Sequence, residues 1–144
     1  MAMADFFVYG TLMCFDIIKA VTGFVPFSKK GVVRGYRRLR IKKGHYPGLY
    51  TARGFEVDGL VYSNIFHKSG LILDRFEGKI YARRSLQVFL EDGAKMEAYA
   101  YVVRPEYFDR LDDKDWDFVE FLNNEKDDFA SSYSGYNAIK QGSE

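Results

Sequence analysis

The sequence has few of the residues that build covalent cross-links and metal sites. Its 144 residues include one cysteine and two histidines. Cys14 therefore cannot form an internal disulfide, and this set of cysteine and histidine gives no recognisable zinc spacing. We expect a protein without a metal or other cofactor, although a site built only from carboxylates stays open.

An excess of charge of one sign and long apolar runs are also missing. Lysine and arginine number 21 against 20 aspartate and glutamate, for a net charge of +1. No basic stripe of the kind that nucleic acid attracts is present. No apolar run approaches the roughly 20 residues of a membrane-spanning helix, and the chain does not start like a signal peptide. We therefore expect no nucleic acid or membrane partner and a cytoplasmic location.

Recognisable nucleophile and phosphate motifs are missing as well. The sequence contains no Gly-x-Ser-x-Gly elbow, no Gly-x-Gly-x-x-Gly loop and no Walker pattern. Cys14, beside the start of an apolar helix, is more typical of packing than of a catalytic dyad with histidine. The sequence therefore does not predict a serine hydrolase or a nucleotide-binding enzyme.

Aromatic residues, by contrast, are plentiful and indicate a sheet-rich core. The chain has thirteen phenylalanines and eleven tyrosines, residue types that favour strands. Pro47-Gly48 predicts a turn, and Asp92-Gly93 predicts a hairpin turn. The hydrophobic pattern predicts strands over 5–9, 31–41, 55–66, 81–90 and 96–103 and helices over 14–21 and 69–77.

The last third of the chain predicts an acidic amphipathic helix within 112–128, with Trp116, Val119 and Leu122 on one face. Since most strands come before this helix, the predicted fold class is α+β, a small mixed, mostly antiparallel β-barrel flanked by helices. We expect one domain over 1–135 and a flexible tail over 136–144.

One carboxylate, Glu77, has an unusual position. It is the last residue of a predicted helix, directly before Gly78, which fits a left-handed cap. Helix carbonyls concentrate partial negative charge there and disfavour an ionised carboxylate. If neighbouring apolar residues also shield it from water, its pKa rises toward the range of a general acid or base. The alternative is an ordinary solvated residue at a helix end.

The loop after the first strand is a second candidate. The stretch "VYGTL" passes from a buried strand through Gly10 and Thr11 toward a helix. Successive backbone N–H groups in such a loop can bind an anion, and a carboxylate would fit. The alternative is a simple strand exit in which Thr11 caps the helix.

Several stretches, taken in order, resemble one known superfamily. They are "FFVYGTLM", "HYPGLY", "GLVYSN", "LDRFEGKIYARRSLQVFL" and "AYAYVV", with "DWDFVEF" later. This order resembles the gamma-glutamylcyclotransferase-like superfamily, and within it the branch of plant avirulence-induced proteins. The resemblance covers roughly residues 5 to 130, and several ordered motifs are more specific than any one of them.

The resemblance implies an enzyme, of the acyltransferase or lyase type, acting on a small γ-glutamyl substrate. In the family reaction the substrate's α-amine attacks its own γ-carbonyl, forming 5-oxoproline and a free amine. Glu77 would be the general acid/base. The implied substrate-binding residues are Tyr9, Gly10, Thr11, Leu12, Tyr81 and Tyr101, with Tyr99 as the alternative to Tyr101.

Some features stay open at this stage. After Leu12 the chain reads "MCFDII", which departs from the γ-glutamylamine cyclotransferases, so the leaving amine is not assigned. The oligomeric state is not assigned either. A second hypothesis is a binding module that uses the same pocket without turnover. A third is a protein-interaction role for the acidic helix.

Overall fold

The computed structural model describes residues 2–141. Six strands are present: β1 (Met3–Val8), β2 (Ser28–Ile41), β3 (Pro47–Phe66), β4 (Tyr81–Leu90), β5 (Lys95–Val103) and β6 (Leu111–Asp115). The α-helices are α1 (Phe15–Thr22), α2 (His67–Glu77), α3 (Phe118–Glu120), α4 (Lys126–Ser132) and α5 (Gly135–Gln141). Short 3-10 helices cover Thr11–Met13 and Pro105–Arg110, and Phe121–Glu125 is π-helical. No helix within residues 2–141 is long and apolar enough to cross a bilayer.

All six strands belong to one sheet. Its order is β1-β3-β5-β4-β2-β6, with additional pairings of β1 with β5 and of β3 with β2. The two pairings that involve β5 with β1 and with β3 are parallel, and the others are antiparallel. The predicted α+β class and mostly antiparallel sheet are confirmed. We describe it as a six-stranded sheet with helices around it and not as a closed barrel.

The predicted hairpin of β4 and β5 is confirmed. The two strands pair antiparallel from Tyr81 with Val103 to Phe89 with Lys95. Gly93 has a φ of +84° in the connecting turn, a conformation that suits glycine. This hairpin carries Tyr81 and Tyr101 on strands that are hydrogen-bonded to each other.

The turn predicted at Pro47-Gly48 is wrong. The chain turns over residues 42–46, and Pro47 is the first residue of the 20-residue strand β3. Proline is tolerated at a strand's first residue, where its missing N–H costs no ladder hydrogen bond. Gly48 is needed for packing, because a Cβ there would lie 2.3 Å from Val103 Cγ2.

Residues 111–115 form a strand and not the start of the acidic helix. β6 pairs antiparallel with β2, with Leu39 opposite Asp115 and Ile41 opposite Leu111. The acidic pattern predicted a helix here, but the backbone N–H and C=O groups of this segment form their hydrogen bonds with β2.

The predicted apolar face of the last helix is also wrong. Trp116 is buried but precedes the helix, whereas Val119 is 63% exposed and Leu122 is 42% exposed. Phe121 and Phe129 are the buried residues of this segment. Because the helix begins only at Phe118, Trp116 does not share a helical face with Val119 and Leu122. The π-helical turn over Phe121–Glu125 further changes the angular spacing at Leu122.

The end of the chain differs from the expected flexible tail. Helix α5 covers residues 135–141, and Tyr136 and Ile139 pack against the core. Gly135 approaches α2 so closely that a Cβ would lie 2.2 Å from Phe76 O. Residues 142–144 lie outside the described part of the chain, and the single-domain boundary at 135 stays a prediction.

Buried side chains form two clusters, one on each face of the sheet. Phe6 belongs to the larger cluster, beneath the helices, and Phe7 belongs to the smaller one. Adjacent residues of β1 point to opposite faces because side chains alternate along a strand. The larger cluster includes Phe76, Tyr81 and Tyr101, so it surrounds the end of α2.

Gly59→Ala should destabilise the protein by roughly 1–3 kcal/mol because the added methyl group overpacks a crowded position. A Cβ at Gly59 would lie 2.2 Å from Val8 O, a backbone atom that cannot rotate away. Urea unfolding measures the effect. Lys30→Ala on the neighbouring strand is the control, since the Lys30 side chain is 78% exposed. Equal stability of Gly59→Ala and wild type would contradict the prediction.

Candidate active site

The loop that follows β1 has no space for a side chain at its second residue. A Cβ on Gly10 would lie 2.7 Å from Pro47 Cγ and 2.8 Å from Pro47 Cδ. The first residue of β3 therefore presses against the loop at the end of β1. This contact explains the glycine at the second position of the loop, since any larger residue would displace the proline ring.

The four carbonyl oxygens of this loop all accept hydrogen bonds from the protein. Arg38 Nη1 donates to Tyr9 O at 3.0 Å, and Tyr62 OH donates to Leu12 O at 2.6 Å. Met13 N donates to Gly10 O and Cys14 N donates to Thr11 O, at 3.0 and 3.1 Å. Thr11 itself is buried. The loop is therefore held through its carbonyl side.

Helix α2 places Glu77 across from this loop. Gly78 ends the helix with a φ of +90° and a ψ of −173°, and its N–H donates to Asp74 O at 3.1 Å. The positive φ agrees with the predicted role for glycine, but the ψ value differs from the left-handed cap that we expected. The extended ψ turns the chain away into β4 directly after Glu77.

Glu77 is half-buried at the end of α2. Burial raises the pKa of Glu77 to about 8, and the nearby negative charge of Asp74 acts in the same direction. None of the side-chain hydrogen bonds within residues 2–141 uses this carboxyl group. Glu77 is thus a carboxyl group with a pKa near neutrality that is not held by other side chains.

Three predicted tyrosines form walls around Glu77. Their hydroxyl groups donate to fixed acceptors: Tyr9 to Tyr101 O at 2.5 Å, Tyr81 to Pro47 O at 2.6 Å and Tyr101 to Asp74 Oδ1 at 2.6 Å. Burial raises the pKa of all three phenols, so they are neutral at physiological pH. Each ring therefore has a defined orientation.

Tyr99 and Tyr101 differ in their position relative to the cavity. Tyr101 lines the cavity, whereas Tyr99 is 37% exposed and lies against Phe6 with ring centroids 5.7 Å apart. Arg83 also fixes this corner, because its Nε and Nη2 bind the two oxygens of Asp74 at 3.0 and 2.8 Å. A bidentate pair of this kind defines the orientation of the carboxylate that holds Tyr101.

All seven residues selected from the sequence line one cavity. These are Tyr9, Gly10, Thr11, Leu12, Glu77, Tyr81 and Tyr101. The cavity volume is about 20 Å³, which is close to the space that one water molecule needs.

Further residues that sequence reasoning missed also line the cavity, among them Tyr46, Pro47, Phe129 and Tyr133. Tyr133 OH donates to Phe76 O at 2.7 Å and to Glu77 O at 3.0 Å. Tyr133 was not selected from the sequence because it lies in a serine-rich, polar stretch. The "HYPGLY" stretch was a usable signal for Tyr46 and Pro47, but nothing local marks Phe129 as a site residue.

The cysteine and metal hypotheses receive no support from the geometry. Burial raises the pKa of the Cys14 thiol to about 11, so the thiolate that a nucleophile requires is scarce at neutral pH. Within residues 2–141 no group of three or more potential metal ligands comes together.

The sequence and the fold both match known proteins. The family model described as "Gamma-glutamyl cyclotransferase, AIG2-like" matches residues 6–118. AIG2-like protein C of Arabidopsis thaliana is 31% identical over 136 residues, covering 91% of this chain and 76% of that protein. A solution structure from the same plant has a TM-score of 0.68 at 25% identity, covering 97% of this chain and 94% of the other. A solved gamma-glutamyl cyclotransferase has the same fold, with a TM-score of 0.64 at 15% identity over 72% of this chain and 68% of its own.

Glu77→Gln should stabilise the protein more at high pH than at low pH. The pKa of Glu77 is raised from its ordinary value of 4.5 to about 8 in the folded protein. The folded state then holds a proton that the unfolded state has lost, so ionisation of Glu77 in the unfolded state lowers wild-type stability as the pH rises from about 4.5 to about 8. Glutamine does not ionise, so the difference in unfolding free energy should grow over this range and level off above about pH 8.

Urea unfolding at several pH values measures this difference. Glu91→Gln is the matched control, because it makes the same substitution at a side chain that is 73% exposed. A stability difference between Glu77→Gln and wild type that stays constant with pH would show that the carboxyl group is not perturbed.

Proposed function

Because the chain belongs to the gamma-glutamyl cyclotransferase, AIG2-like family, we propose that it converts a γ-glutamyl compound into 5-oxoproline and a free amine. The observation that carries the proposal is the Glu77 carboxyl group, which has a pKa of about 8 and lines a cavity with the loop of Gly10, Thr11 and Leu12. The family and the shared fold support a cyclotransferase-like enzyme. The reaction and the role of Glu77 are the proposed part.

The reaction needs no nucleophile from the protein. The α-amine nitrogen of the substrate forms a bond to its own γ-carbonyl carbon, and the bond from that carbon to the leaving nitrogen then breaks. The substrate ammonium first gives one proton to the Glu77 carboxylate, and Glu77 gives this proton to the leaving nitrogen as its bond breaks. The attacking nitrogen loses a second proton when the ring has formed, and the Glu77 carboxylate accepts it and passes it to the released amine. One carboxyl group with a pKa near neutrality suits these transfers.

The loop at the end of β1 would supply the groups that bind the substrate's charge. Every peptide bond within residues 2–141 is trans, so each N–H points opposite to the preceding carbonyl. The carbonyls of Tyr9, Gly10 and Thr11 are directed to protein donors. The N–H groups of residues 10–12 then face the other side, where a carboxylate or a developing oxyanion can accept from them.

The tyrosine walls would hold the flexible γ-glutamyl chain in a folded shape. Tyr9, Tyr81 and Tyr101 are neutral and fixed by hydrogen bonds, so they offer rigid surfaces next to Glu77. Intramolecular attack from a well-oriented geometry reaches effective molarities of about 10⁵ M or more. Positioning is therefore the second contribution of the site, beside proton transfer.

The proposed activity is tested by a mass-spectrometric screen for 5-oxoproline with γ-glutamyl amino acids, γ-glutamyl amines and glutathione. Wild type should form product from at least one compound. Glu77→Gln should lower kcat by roughly 10²- to 10⁴-fold because the general acid/base is lost. Glu106→Gln, an exposed carboxylate on the 3-10 helix after β5, is the control and should match wild type.

Product formation that is unchanged in Glu77→Gln would exclude Glu77 as the acid/base. Binding of these compounds without product from wild type would replace the enzyme with a binding module that uses the same cavity.

The activity should also rise with pH and reach a plateau above about pH 8, because the base must be ionised and the pKa of Glu77 is about 8. Asp74→Asn removes the neighbouring negative charge that raises this pKa, so the midpoint of kcat/KM against pH should move to lower pH. The substrate amine titrates equally in both proteins, so the shift reports on Glu77 alone. Identical midpoints would contradict the assignment.

A further inference from the structure

The cavity around Glu77 cannot admit a substrate in the arrangement that the structure shows. Its volume of about 20 Å³ holds about one water molecule, whereas a γ-glutamyl group is several times larger. Rings on the cavity wall must therefore move before a substrate enters. The tyrosines at positions 9, 81 and 101 are each at most 5% exposed and donate short hydrogen bonds, so the movable wall lies elsewhere.

A second depression adjoins the cavity and is larger. This surface cleft has a volume of about 210 Å³. It shares three aromatic residues, Tyr46, Phe129 and Tyr133, with the lining of the Glu77 cavity. These three residues, which we call the aromatic gate, therefore lie between the two spaces.

The aromatic gate is a packed set of rings. The ring centroids are 4.9 Å apart for Tyr46 and Tyr133, 4.7 Å for Phe129 and Tyr133, and 6.1 Å for Tyr46 and Phe129. Tyr133 also holds the end of α2 through its hydrogen bonds to Phe76 O and Glu77 O. Tyr133 and Tyr46 are nevertheless partly exposed, whereas the tyrosines at positions 9, 81 and 101 are buried.

The residues around the rest of the cleft are mainly polar. They include Lys43 on the turn before β3 and the hydroxyl groups of Ser132 and Ser134. His45 Nε2 lies 2.5 Å from Asp128 Oδ2 at the same cleft. A lining of an ammonium group, hydroxyl groups and an imidazole–carboxylate pair favours a ligand that makes hydrogen bonds over an aliphatic one.

We propose that this cleft is the entrance to the site and the subsite for a polar leaving amine, with the aromatic gate closing over the γ-glutamyl group. The proposal rests on the proposed function, because a leaving amine exists only if the substrate is a γ-glutamyl compound. Phe129 and Tyr133 lie beyond the residues 6–118 that the family model matches. This subsite is therefore built partly from sequence outside the shared family region.

Two serines of α4 allow a matched test of the cleft. Ser131 and Ser132 are both exposed and both donate to Asp128 O, but only Ser132 lines the cleft. Ser132→Tyr places a ring in the cleft and should lower kcat/KM for all γ-glutamyl compounds by about tenfold or more. Ser131→Tyr adds the same ring away from the cleft and should stay within about twofold of wild type.

A pair of substrates tests the chemistry of the subsite. γ-Glutamyl-ethanolamine and γ-glutamyl-n-propylamine have leaving groups of equal heavy-atom number, and they differ in a hydroxyl group against a methyl group. Wild type should turn over the ethanolamine derivative about tenfold faster in kcat/KM, since a buried hydroxyl that finds partners outweighs a methyl group among polar atoms. Equal values, or a preference for the propylamine, would overturn the polar subsite.

A binding measurement separates this proposal from the proposed function. Association of 5-oxoproline can be followed by stopped-flow fluorescence of Trp116, the one tryptophan of the chain, whose Nε1 donates to His45 O beside the cleft. Ser132→Tyr should slow association, whereas Ser131→Tyr should not. If Ser132→Tyr shows wild-type kinetics of both turnover and association, the proposal that the cleft is the entrance is wrong.

If wild type forms no 5-oxoproline from any compound, the proposed function fails. Slower association of 5-oxoproline in Ser132→Tyr would then still support the entrance, while the leaving-amine subsite would be overturned. If wild type shows neither turnover nor binding of 5-oxoproline, both proposals fail.

Discussion

The burial of one carboxyl group governs the arrangement around the site. None of the side-chain hydrogen bonds within residues 2–141 uses the Glu77 carboxyl group, and burial disfavours its charged form and raises its pKa. The hydroxyls of Tyr9, Tyr81 and Tyr101 and the carbonyls of the β1 loop are all hydrogen-bonded to other groups. The carboxyl group is thereby left for a ligand.

The strands supply the rigid part of this arrangement, and the helices supply its closure. β1, β3 and the β4–β5 hairpin bring the loop after Val8, Pro47 and the tyrosines to one end of the sheet. Helix α2 ends at the same place, and a glycine with positive φ turns the chain immediately after Glu77. The segment around α4 then covers the cavity with Phe129 and Tyr133. Rigid walls suit the positioning of a flexible chain, and a separate cover suits its entry.

Much of the site was readable from local sequence. The Tyr-Gly-Thr-Leu stretch after a buried strand and a glutamate before glycine at a helix end both mark their residues by position, and the structure brings them to one cavity. The resemblance to the cyclotransferase superfamily then assigned these separate motifs to one binding site. The errors have a physical cause. Pro47 carries a turn signal but begins a strand, and Trp116, which is spaced like a helix-face residue with Val119 and Leu122, lies before a helix that begins at Phe118.

The sequence by itself determined the α+β class, the mostly antiparallel sheet, the β4–β5 hairpin and the residues next to the β1 loop and Glu77. These depend on alternation, turn residues and short motifs, which act over a few positions. Only the tertiary structure decided that burial raises the pKa of Glu77, that Tyr101 and not Tyr99 lines the cavity with it, and that Tyr46, Phe129 and Tyr133 line the same cavity. Those outcomes depend on contacts between residues far apart in the chain, as when Tyr133 binds the carbonyls of Phe76 and Glu77. Side-chain burial and pKa shifts arise from such contacts, so no local pattern encodes them.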